Sequence, residues 1–240
     1  MTDVLCDVAD HVARITINRP HVLNAIDAAT ERTLQDLWAE IERNPDIWVV
    51  VLTGAGERAF CVGADMSARE AAPSGLEYWA TDRPGGFGGI ALRRTLTVPV
   101  IAAVNGYALG GGMEMVLGCD IVVAVEEAQF GLPEPRVGRI PLDGGVFQLV
   151  RQIPLKEAMG LLLTGRRISA ARAHELGLVN EVAPLSVRAI KETVNQAQFM
   201  PPEEAARLRL PALIRALQSK DAKEGVKACQ EKRAPHWRAQ

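Results

Sequence analysis

PVIAAVNGYALGGGMEMVLGCDIVVAVEEAQFGLPEPRVGRIP, residues 99 to 141, is the stretch from which the rest of the chain is read. Val100 to Val104 is a short apolar run rich in β-branched residues, the pattern of a buried strand. Gly110, Gly111 and Gly112 follow, and then MEMVLGCD, which has the character of a helix start. Without Cβ atoms a ligand can approach the backbone closely, while the first N–H groups of the helix stay free to donate. The partial positive charge of a helix N-terminus suits an oxygen that becomes negative during a reaction. Glu114 falls in the first turn, beside those N–H groups, and Glu134 lies between Pro133 and Pro135 in a segment too rigid and irregular for an ordinary strand. Two carboxylates and a glycine anion cradle are the parts of an acid–base site acting on a carbonyl compound. Taken singly, each is ordinary: a glycine turn before a helix is more often structural, and a Glu near a helix N-terminus usually serves the dipole.

The 240 residues fit one large domain, or one with a small appendage, and 48% hydrophobic with 23% charged residues is enough to bury a core. A net charge of −2 gives no basic field for nucleic acid or an anionic membrane. Cys6, Cys61, Cys119 and Cys229 are widely spaced and form no metal-binding pattern, so reduced, mostly buried thiols and a cytoplasmic location are expected. No N-terminal signal pattern and no apolar run long enough to span a bilayer is present. The four histidines form no ligand motif, and no metal site is expected.

Outward from the central stretch, VARITIN alternates apolar and polar residues, and Val4 to Asn18 reads as two short strands around an Ala-Asp-His turn. A helix beginning near Asp27 places Leu34, Leu37, Trp38 and Ile41 on one face, and Ile47 to Gly54 reads as a buried strand. FCVGADM, residues 60 to 66, alone reads as a glycine turn with an Asp cap. Met66 to Arg94 is rich in Ala, Gly and Pro, and its Tyr78, Trp79 and Phe87 are candidate pocket aromatics, although aromatics more often anchor packing. Gly144 to Val182 has amphipathic helical spacing; Gly177 is the expected C-cap of its ARAHE helix, and His174 reads as a surface residue.

ALGGGMEMVLGCD followed by FGLPEPRVG, with AFCVGADM upstream, resembles the crotonase (enoyl-CoA hydratase/isomerase) superfamily from about Val12 to about Val182 and again in the tail. The resemblance implies an α/β fold: a ββα spiral core over residues 1–182 carrying the active site, and a C-terminal helical trimerisation region over 183–240. It implies an acyl-CoA thioester as substrate, with coenzyme A part of that substrate and no separate cofactor, and a homotrimer or dimer of trimers. One departure is visible. Where the superfamily has a further amphipathic helix, Pro184 runs directly into Leu185. The helix is either absent or left out of the sequence, and omission is favoured because its neighbours would otherwise expose apolar surface.

Carried over residue by residue, the oxyanion donors implied are the backbone N–H groups of Ala64 and Gly111, each such donor worth about 10²–10³ in rate. Backbone near Asp65 and Met66 is implied in substrate binding. Glu114 and Glu134 match the two glutamates that hold one water and exchange the α-proton, which favours enoyl-CoA hydration. Carnitinyl-CoA dehydration is the second reading, supported by PGGFGG and EKRAPHW; its quaternary ammonium would favour an aromatic or acidic wall. Asp143 reads first as a cap for the helix starting near Gly144 and alternatively as a third acid serving isomerase-type chemistry. A non-catalytic reading, an RNA-binding or scaffold homologue, is opposed by the near-neutral charge and the intact glutamate pair.

Overall fold

The structure is a computed structural model that describes residues 2–66, 83–183, 197, 200–205, 207–233 and 235. The alternating N-terminal residues form a hairpin, β1 (Val4–Ala9) and β2 (Val12–Ile17), paired antiparallel from Val4↔Ile17 to Ala9↔Val12. Asp10 and His11 close it with φ of +50° and +66°, the left-handed pair that a two-residue hairpin turn requires. On β2 the apolar set Ala13, Ile15 and Ile17 points into the core, fully buried. Helix α1 (Ala28–Arg43) then crosses to β3 (Val49–Gly54), which lies parallel to β2. The Asp27 carboxylate accepts the Thr30 N–H at 2.8 Å and so starts the helix where its sequence indicates. Leu34, Trp38 and Ile41 are buried beneath it.

Thereafter the strands come in pairs: β3 and β4 (Ala59–Cys61), β5 (Val100–Val104) and β6 (Tyr107–Leu109), β7 (Ile121–Val125) and β8 (Gln129–Gly131). With β9 (Arg167–Ser169) and β10 (Glu181–Ala183) added, the first of each pair joins one sheet, of order β1-β2-β3-β5-β7-β10, and the second joins another, β4-β6-β8-β9. Pairing between successive turns is parallel in both sheets, as in a ββα spiral, with β10 on the far edge of the larger sheet and β9 antiparallel to β8. The fold expected from the resemblance is therefore present. Its repeat is geometric, carried by strand placement, and leaves no repeated sequence.

Helix α2 (Gly111–Leu117) is short and wholly buried, and it starts two residues earlier than MEMVLGCD suggests. Gly111 and Gly112 are its first residues because nothing larger fits. A Cβ on Gly112 would stand 2.0 Å from the Cys61 carbonyl oxygen, and one on Gly111 would stand 2.6 Å from the Phe87 ring. Helices α3 (Gly145–Gln152), α4 (Leu155–Thr164) and α5 (Ala170–Glu175) complete the core. At the end of α5, Gly177 (φ +81°) donates to His174 O at 3.0 Å and Leu178 to Ala173 O at 2.9 Å, a Schellman closure. Gly177 thus stands one position beyond the C-cap, Leu176, and His174 is exposed on the helix surface.

In the tail α6 (Pro202–Ala205), α7 (Pro211–Gln218) and α8 (Lys220–Gln230) follow, the last capped by Ser219, whose Oγ accepts the Ala222 N–H at 3.1 Å. Tyr78, Trp79 and the Pro184–Leu185 junction lie outside the described residues. The thiols depart from expectation: Cys61 is buried and Cys119 partly so, but Cys6 and Cys229 are exposed. No helix among the described residues is long and apolar enough to cross a membrane.

Candidate active site

A cavity of about 350 Å³ opens where β4, the N-terminus of α2 and the loop leading into α3 converge. Ala64, Gly111, Glu114 and Glu134 all line it, together with Met66, Phe87 and Asp143. Residues as far apart in sequence as Ala64 and Asp143 are brought together by stacking one spiral turn on the next.

The two amide positions are built from backbone. Ala64 forms an isolated parallel bridge with Ile26: Ile26 N–H donates to Gly63 O and Asp65 N–H to Ile26 O, both at 2.9 Å. That alternation turns Ala64's own N–H away from Ile26. Gly111, first residue of α2, has no carbonyl within the helix to which its N–H can donate. A Cβ on Gly63 would stand 3.1 Å from Gly111 N, so the two segments approach closely only because Gly63, at φ +94°, carries no side chain. Gly63 N–H in turn donates to the Cys61 sulfur at 3.4 Å, which fixes the turn.

Glu114 projects from the first turn of α2 and is 4% exposed. Its Oε1 accepts the Gly145 N–H at 3.0 Å. Burial pushes its carboxyl up to about 8; repulsion from Asp143 and Glu134 adds to the rise, while the amides of Gly145 and Asp143 oppose it. Glu134 opens the 3-10 turn Glu134–Val137, and burial raises its carboxyl as well. Its Oε2 is buried and makes no hydrogen bond among the described residues. Its Oε1 lies 2.9 Å from where a Cβ of Gly110 would be, and the backbone of Gly110, at φ +55° and ψ −129°, is what requires glycine as the first of the triple. Burial, more than mutual repulsion, is what raises these carboxyls.

Asp143 is not the helix cap. Gly144 occupies that place, with no side-chain cap bond, and both Asp143 oxygens face Arg83 Nη2 at 2.8 and 2.9 Å. Asp65 also differs in placement from what its neighbours suggest. Its N–H is taken up by Ile26, and its carboxylate pairs at 3.0 Å with Arg19, which also holds Asp27 at 3.0 Å. It anchors the loop from behind, whereas Met66, 66% exposed, lies on the cavity wall. Phe87 is a wall residue and nearly fully buried. Sequence reasoning missed Arg83 and Arg19. Each acts on a segment distant in the chain, and no local pattern marks either.

A buried carboxyl with a raised proton affinity, a second carboxyl with an unpartnered oxygen and two converging amides form a site for proton transfer beside a polarised carbonyl. The enoyl-CoA hydratase/isomerase family model matches residues 7–187. The chain belongs to that family. It is 37% identical over 260 aligned positions to the enoyl-CoA hydratase EchA19 of Mycobacterium tuberculosis, covering 98% of this chain and 96% of the relative. The (E)-benzylidenesuccinyl-CoA hydratase of Thauera aromatica is 39% identical over 98% of both chains, and the carnitinyl-CoA dehydratase of Salmonella typhi 38% over 95% of both. Among solved structures, an enoyl-CoA hydratase from Bacillus anthracis superposes with a TM-score of 0.68 at 33% identity, over 100% of both chains. The alignment with EchA19 is longer than the 240-residue chain, so this family member lacks residues at some positions that EchA19 fills.

Proposed function

We propose that the protein is a hydro-lyase that reversibly adds water to a 2-enoyl-CoA thioester. The observation that carries the reading is the meeting of Glu114, Glu134, Ala64 and Gly111 on one cavity. The thioester oxygen accepts from the Ala64 and Gly111 N–H groups, which draws electron density from the β-carbon and stabilises the enolate formed on attack. Glu114 and Glu134 hold a water over that carbon, with the buried Glu134 Oε2 offering an acceptor that no group among the described residues occupies. One carboxylate takes a proton from the water as its oxygen bonds to the β-carbon, and one carboxyl delivers a proton to the α-carbon. The pair holds one proton before and after the reaction, and Glu114, raised to about 8, is suited to carry it near neutrality. Met66 borders the mouth, and the acyl chain runs along Phe87. The chain acts as a homotrimer or dimer of trimers, a reading supported by apolar side chains left exposed on α3 and α4.

Carnitinyl-CoA dehydration is the second reading, supported by relatives of that name at 38% identity. Phe87 and the acids of the wall suit a quaternary ammonium, whereas Arg139, the basic residue among those lining the cavity, opposes it. Comparing kcat/KM for crotonyl-CoA and crotonobetainyl-CoA separates the two. Preference for crotonyl-CoA is the expected result, and at least tenfold preference for crotonobetainyl-CoA would replace the first reading with the second.

A further inference from the structure

Running back from Asp143 on the cavity wall, Arg83 and then Glu31 of α1 form with it a line of alternating charge that begins beside Glu114. Arg83 Nη2 lies 2.8 and 2.9 Å from the two Asp143 oxygens, and Nη1 lies 3.8 Å from Glu31 Oε1. All three side chains are largely buried: that of Arg83 is 12% exposed, that of Asp143 6% and that of Glu31 18%. Asp143 begins the turn Asp143-Gly144-Gly145, whose middle residue has φ +126° and whose last residue donates its N–H to Glu114 Oε1. Nothing in the reaction written above uses Arg83.

We infer that Arg83 is a positioning residue: by gripping Asp143 it fixes the turn that orients the Glu114 carboxyl and offsets the charge Asp143 presents to it. Arg83 acts mechanically through the Gly145 amide and electrostatically through the Asp143 carboxylate. Asp143 disfavours the charged form of Glu114, and Arg83 is the cation that moderates Asp143. Among the described residues, the other charged groups around the site are Glu134 on the 3-10 turn, Arg139 on the cavity wall and Glu31 on α1, behind Arg83. A residue acting only as a packing brace would alter stability and leave the titration of Glu114 where it was. A moderating cation makes a different demand. Removing the anion and removing the cation must move that titration in opposite directions.

The role of Glu114 as a catalytic acid or base rests on the proposed hydratase reading, but its titration can be followed without substrate. The test is a difference-infrared titration of the purified full-length protein. The Glu114 carboxyl band is assigned by its loss in Glu114→Gln, and Asp143→Asn, Arg83→Met and Arg83→Lys are compared with the parent. Asp143→Asn is expected to lower the Glu114 midpoint by about one pH unit, Arg83→Met to raise it, and Arg83→Lys to restore it. In turnover assays Arg83→Met is expected to lower kcat at least tenfold with KM little changed, and Arg83→Lys to recover part of the loss. Midpoints that stay put, or that shift the same way in Asp143→Asn and Arg83→Met, would overturn the inference. Failure of the parent to hydrate any enoyl thioester would sink the hydratase reading and leave the titration result standing.

Discussion

At the scale of single residues the site is a problem of proton affinity. Glu114 carries a carboxyl raised from the ordinary 4.5 to about 8, mainly because burial penalises its charged form. The unfolded chain gives up that proton near 4.5, the folded chain only near 8, so the folded state binds more protons between those values. Folding stability from this residue therefore falls as pH rises from about 4.5 to 8, because ionising the unfolded chain is the easier step. Glu114→Gln keeps the acceptor for the Gly145 N–H and removes the titration. Its thermal midpoint is expected to exceed the parent's increasingly from pH 5 to pH 8, measured by calorimetry. The residue types at this site were legible in the sequence: Glu114, Glu134 and the small residues at positions 64 and 111 all line one cavity. What was not legible is the partner of Asp143. An Asp before a helix matches a cap by local pattern, but Arg83 lies 60 positions away, and only the packed fold brings it to hydrogen-bond distance.

Elements place these residues, and α2 bears most of that task. Its first two residues fit only without side chains, Gly111 against the Phe87 ring and Gly112 against β4, and Gly112 has the least room, its Cβ position lying 2.0 Å from the Cys61 carbonyl oxygen and 2.6 Å from the carbonyl carbon. Backbone cannot yield as a flexible side-chain tip would, so Gly112→Ala has to push α2 away from β4. A loss of about 1–3 kcal/mol or more is expected, read as a lower denaturation midpoint or loss of soluble protein. Wild-type-like stability would mean that the two elements are less tightly apposed. Helix α1 contributes from the opposite side. Trp38 is fully buried and donates its indole N–H to Gly88 O at 2.9 Å, which ties the loop bearing Phe87 to the core. The apolar face of α1 was readable from its spacing. The start of α2 was not, because glycines normally argue against a helix interior and only close packing explains them here.

Across the whole molecule the sheets follow a rule that no single segment displays. From β3 to β8 successive strands alternate between two sheets, so the chain advances as a spiral and its turns share no sequence signature. The resemblance of the three motifs carried the fold, whereas periodicity gave only the separate strands and helices. The surface bears on assembly. Leu155, Met159 and Leu163 of α4 recur every four residues, 57%, 39% and 69% exposed, a continuous apolar stripe. Water-facing stripes of this kind mark contact surfaces. If this one serves the proposed trimer, the 25.9 kDa chain sediments as a trimer or hexamer, and Leu163→Glu shifts it toward monomer. A monomeric parent would remove that part of the reading.

The central claim is that Glu114 and Glu134 together activate water against an enoyl thioester held by two backbone amides. The most direct measurement is the loss of enoyl-thioester absorbance from crotonyl-CoA, followed for the parent, Glu114→Gln and Glu134→Gln at equal folded concentration. The account predicts rapid loss with the parent and a fall in kcat of about 10²–10⁴ with either substitution. Parent-like turnover in either variant would contradict it.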